Sequence, residues 1–136
     1  ELIGSGSDGL AGPTGLAIGG STLYTASIMT GSVLRTDLGT DITSPFASIG
    51  NPFEVGALAL LANGNLLAGS PSGSGSIYLI DTNTGTVVDT YASGLGQIGG
   101  IATVAAVPEP AAPMLAPLGL VAMYRLVTSR RRLACP

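Results

Sequence analysis

Histidine, lysine and tryptophan are missing from this 136-residue chain, and cysteine occurs once. Without histidine, and with Cys135 next to the last residue, nucleophilic triads and zinc sites are effectively excluded. A lone cysteine also has no partner within the chain and says nothing about redox compartment. Charge is sparse as well, at 10% of residues. What the chain has instead is 21 glycines, 9 prolines and a 46% hydrophobic content. That is enough apolar material for one modest core. Glycine, serine and threonine interrupt every apolar run over the first hundred residues, so long helices are disfavoured there and turn-rich β structure is expected.

The charges that exist are segregated. Residues 1–124 hold Arg35 against eight acids, a net −7, whereas residues 125–136 hold four arginines and no acid, a net +4. An acidic body offers no footprint for nucleic acid. Arginines beside an apolar run mark a membrane flank more often than a phosphate-reading patch. The start at Glu1, without methionine or a secretory leader, leads to the expectation of a processed or truncated product.

Self-similarity organises the body. "GLAIGGSTLYTASIMTGSVLRTDLGT" from Gly15 aligns with "GALALLANGNLLAGSPSGSGSIYLIDTNTGT" from Gly56, and "GIATVAAV" from Gly100 opens a third copy. Gly15 and Gly56 are 41 apart, Gly56 and Gly100 are 44 apart, and the pairs Ser32/Ser76 and Asp37/Asp81 are also 44 apart. Each unit reads as a meander. "GLAI" and "ALAL" are first strands, "LYTAS" and "LLAGS" second, "SVLRTD" and "SIYLID" third, and "ITSPFAS" and "VVDTYAS" fourth, with an aromatic at Phe46 or Tyr91. Four strands in about 40–45 residues is the period of a β-propeller blade. The order "GP-G-A", "LY-A", "I/V-R-D--G" over residues 10–106 resembles NHL-type six-bladed propeller repeats, and Arg35 with Asp37 matches their arginine–aspartate pair in the first copy; the second has Leu79 and Asp81. Two blades and a fragment do not close a ring by themselves, so further blades before Glu1, or an open pair of sheets, are the two expectations.

Candidate chemistry in the body is thin. "DTNTG" offers Asp81 and Asn83 as weak metal ligands, but Gly85 falls one position early for an EF-hand and no glutamate closes the loop. A turn capped by Asp81 is the preferred reading. The glycine-rich "GSGSDG" and "SPSGSGS" lack the lysine and the strand-to-helix context of a phosphate loop. Glu54 in "NPFEVG" is read as a solvated loop acid, with a channel-facing role as the alternative. The aromatics, Tyr24, Tyr78, Tyr91, Tyr124, Phe46 and Phe53, show no platform in sequence.

The end of the chain is more telling. From Ala111 to Val127 run 17 positions that are apolar apart from Tyr124 and Arg125, with prolines at 113 and 117. No polar face suits them to a core helix. As a helix they reach about 25 Å, short of a ~30 Å hydrocarbon core. Before this run stand Pro108, Glu109 and Pro110; after it stand Arg130, Arg131 and Arg132. This tripartite order resembles a PEP-CTERM sorting signal over residues 107–132. The resemblance implies recognition and removal of the tail by an exosortase, a membrane-embedded processing enzyme. Prolines 108 and 110 deny that stretch helix hydrogen bonds, and Arg125 with Arg130–Arg132 orients the span by the positive-inside bias.

The expectation is therefore an all-β body at 1–106, built of propeller-like four-stranded antiparallel blades, about two and the start of a third. A sorting and membrane-anchor segment with one short hydrophobic helix follows at 107–136. Functionally this is an exported bacterial surface or extracellular-matrix protein: a binding or display module rather than an enzyme, without cofactors. Its partners would be an exosortase, a membrane and an extracellular polysaccharide. The alternatives are a fragment of a propeller hydrolase or lyase, and a plain tail-anchored protein.

Overall fold

The computed structural model describes residues 8–72 and 75–104. Pro108, Glu109, Pro110, the apolar run with its expected helix, Arg125, Arg130–Arg132 and Cys135 lie outside the described residues. Within them the chain is all-β, with two four-stranded antiparallel sheets.

The first sheet is β1 (Pro13–Gly19), β2 (Thr22–Ser27), β3 (Ser32–Asp37) and β4 (Ile42–Ser48), and the second is β5 (Ala57–Leu60), β6 (Leu66–Gly69), β7 (Ile77–Ile80) and β8 (Val87–Ala92). In both, strands pair in chain order. These are the eight strands read from the two repeats, with β1 starting earlier than expected. The expected opening of a third repeat carries no strand at Gly100–Val104. Residues 98–103 instead lie along the second sheet: Ile98 N donates to Ser70 O at 3.1 Å, and Thr103 Oγ1 donates to Leu60 O at 2.8 Å.

Register decides which side chains share a face. In the first sheet Ala17, Tyr24 and Arg35 are cross-strand partners, as are Ala26, Val33 and Ala47. In the second, Leu60, Leu66 and Ile80 align, next to Leu58 and Ala68. The core joins these two sets: Tyr24, Ala26, Val33 and Ala47 against Leu58, Leu66, Ala68 and Ile80, with Val55 from the connection between sheets. The faces that the two sheets turn to each other are not equivalent. By register Leu16 and Ile18 correspond to Leu58 and Leu60, yet both are 64% exposed. The packing is thus head-to-tail, the front of one repeat against the back of the next.

Close approach is made possible by small residues. β1 and β5 come so near that a side chain at Gly15 would collide with the Gly56 carbonyl. Each fourth strand bulges at its aromatic. Val33 faces Ala47 and Leu34 faces Pro45, leaving Phe46 extra; Ile77 faces Ala92 and Tyr78 faces Thr90, leaving Tyr91 extra.

A second repeated device is a buried serine at the end of β2 and just past β6. Ser27 and Ser70 are both 0% exposed. Ser27 Oγ accepts from Ala11 N at 2.9 Å and lies 3.0 Å from Ala11 O and 2.8 Å from Thr30 Oγ1, tying the segment before β1 to the sheet. Ser27→Ala is expected to cost about 2 kcal/mol, since the Ala11 amide loses its acceptor. Urea unfolding measures this, and earlier proteolysis within residues 8–12 would accompany the loss.

Candidate functional site

Alternation along β3 puts Arg35 and Asp37 on the face that carries Tyr24 and Val33. At the turn end of that face lies a cleft of ≈ 410 Å³ lined by Thr22, Arg35, Asp37, Thr40, Ile42 and Ser44. Strand pairing assembles it: Thr22 and Ile42 both sit opposite Asp37, and Ser44 sits opposite Arg35.

Arg35 is the cation of this body, and it is held by an aromatic ring and a hydroxyl. Its guanidinium lies 5.7 Å from the Phe46 ring centroid, and Phe46 in turn meets Tyr24 at 5.2 Å with ring planes tilted by 57°. Nε donates to Ser44 Oγ at 3.4 Å. The bulge at Phe46 is what turns that ring under the guanidinium. Asp37, the other half of the expected arginine–aspartate pair, is employed differently. Its Oδ1 accepts from Gly39 N at 2.8 Å and Thr40 N at 3.1 Å, capping the turn between β3 and β4. Among the described residues Arg35 makes no ion pair with it.

The repeat-equivalent turn, Asp81–Thr86, holds the weak metal candidates. Asp81 Oδ1 accepts from Asn83 N at 2.8 Å and from Asn83 Nδ2 at 3.1 Å, so the two side chains meet each other. This is the capped turn preferred from sequence. Gly85 closes it with φ of 73°, against the Phe46 carbonyl of the first sheet.

Glu54 departs from its expected role as a solvated loop acid. It is half-buried, and its carboxylate accepts from Tyr78 Oη at 3.1 Å and Ser72 Oγ at 3.3 Å. Ser70 Oγ, 2.9 Å from Ser72 Oγ, extends this network. Sequence reading missed the network because Glu54 lies 24 residues from Tyr78. The serine shared by "LYTAS" and "LLAGS" was the available signal.

Gly15, Gly56 and Gly100, the residues that open the three repeat units, line one cavity of ≈ 160 Å³ together with Thr14, Leu16, Ala57, Leu58, Gly99 and Ile101. Its walls are largely backbone.

No protein-family model and no curated protein matches the chain. Among solved structures, the computationally designed Ika4 protein is similar over 70% of this chain and 81% of its own, at 13% identity and a TM-score of 0.38.

Proposed function

We propose that the chain is an exported surface or extracellular-matrix protein whose β body is a binding or display module and whose last thirty or so residues are a PEP-CTERM-like sorting and anchoring signal. The observation that carries this is the order Pro108-Glu109-Pro110, apolar run, Arg130-Arg131-Arg132. An exosortase would recognise Pro108–Pro110, and Arg125 with the terminal arginines would hold the cytoplasmic side. The acidic body then faces outward, as a module rather than an enzyme, with an extracellular polysaccharide as a partner.

Treating the sheets as propeller-like blades draws on two features. Their head-to-tail packing is an arrangement that can repeat around an axis, and the first residues of three repeats meet at one cavity. NHL-type repeats share that design.

The test is the intact mass of the protein recovered from the surface or medium of its native host. The wild type is expected to lose its tail near Pro110, and a Glu109→Ala, Pro110→Ala variant to keep it. An uncut chain in both, fractionating with the membrane, would leave a plain tail anchor and sink the exosortase reading.

A further inference from the structure

We propose that the cleft around Arg35 and Asp37 binds a carboxylated sugar, the guanidinium taking the carboxylate while Asp37 and the hydroxyls of Thr22, Thr40 and Ser44 take ring hydroxyls. This concerns the body alone and stands or falls apart from the sorting signal.

Size comes first. At ≈ 410 Å³ the cleft is within the range of small-ligand sites, and one saccharide unit with part of a neighbour fills it. Among the described residues its lining is a planar cation, a carboxylate, three hydroxyls and one apolar side chain, Ile42, which is 66% exposed. A lining of this kind suits a ligand rich in hydroxyl groups with one C–H face.

The cation then narrows the class. Stacking on Phe46 and the bond to Ser44 hold the Arg35 fork, so little side-chain freedom remains to be lost on binding. Its two terminal nitrogens make no hydrogen bond among the described residues, and a carboxylate is the planar group that matches them bidentately. The surroundings argue against a more highly charged anion. Asp37 stands on the same face and the body is net negative, so a phosphate monoester, with close to two charges, meets nearly twice the repulsion that a single carboxylate does. Asp37 also has an oxygen to offer. Oδ1 serves the turn amides, and the second carboxylate oxygen has no hydrogen bond among the described residues; a sugar hydroxyl donates to it.

The experiment is titration calorimetry of the full chain with oligogalacturonate and with a neutral galacto-oligosaccharide. Four proteins are compared: wild type, Arg35→Gln, Ile42→Asp, and a tail variant carrying Arg130→Gln, Arg131→Gln and Arg132→Gln. Oligogalacturonate is expected to bind wild type and tail variant alike, and at least about tenfold more weakly to Arg35→Gln. Ile42→Asp, an exposed position that leaves the Phe46 stack intact, sets a second carboxylate beside the cleft and is expected to abolish binding even if Arg35→Gln proves unstable. The neutral sugar binds weakly throughout. Absence of binding to wild type, binding unchanged in Arg35→Gln and Ile42→Asp, or loss confined to the tail variant would each overturn the proposal.

Discussion

Leu66→Ala is expected to remove about 3 kcal/mol of stability, a large share of the ~5–15 kcal/mol that holds a domain together. Leu66 is 0% exposed on β6, between Leu60 and Ile80 of its own sheet, and it packs into the cluster that includes Tyr24, Ala26 and Val33 of the other. Three of the nine buried members of that cluster, Ala26, Ala47 and Ala68, are alanines without side-chain torsions to refill the space, and two more are the stiff valines Val33 and Val55, so most of the cavity persists. Urea unfolding should show a lower midpoint at an unchanged slope. A loss below about 1 kcal/mol would mean that the sheets do not dock through this face.

Gly85→Ala is expected to cost a similar amount, about 3 kcal/mol, while Asp41→Gly, which removes a Cβ at the equivalent place in the first repeat, is expected to gain about 1 kcal/mol. The two turns are built alike. Asp41 N donates to Asp37 O and Gly85 N donates to Asp81 O, each at 2.8 Å, and φ is 58° at Asp41 and 73° at Gly85. A Cβ is therefore strained at either position. Only at Gly85 does it also strike a neighbour, the Phe46 carbonyl on β4 of the other sheet, so that the sheets must part to admit it. Asp41 is exposed. Thermal melts of the two variants, read side by side, separate local backbone strain from lost docking. A loss at Gly85 no larger than the gain at Asp41 would place Gly85 outside the sheet interface.

All eight strands were legible because the two repeats present the same order of apolar runs, turns and closing aromatics, and each turn carries its own local chemistry. Tertiary placement was less legible. The alternation in "SVLRTD" says that Arg35 and Asp37 share a face; it does not say that the Phe46 bulge turns a ring beneath the guanidinium, since a bulge depends on the partner strand. Glu54 read as a surface acid because its partners Ser72 and Tyr78 lie across a loop and a strand. Phe53, with φ of 64°, adopts a backbone conformation that bulky residues rarely take, and nothing in "NPFEVG" announces it. The third repeat misled in a different way. "GIATVAAV" has the composition of a first strand, but residues 100–104 form none and lie along the second sheet instead.

Strict chain-order pairing also bears on how the body reaches its native state. In both described sheets every ladder joins strands that are neighbours in sequence, so each sheet can zip from its own hairpin turns at small loop-closure entropy. Distant parts of the chain have to find one another chiefly when β5 meets β1, across the connection through Val55. Contact order is thereby concentrated in a single docking event, and the nascent chain can complete its first sheet while the second is still being synthesised.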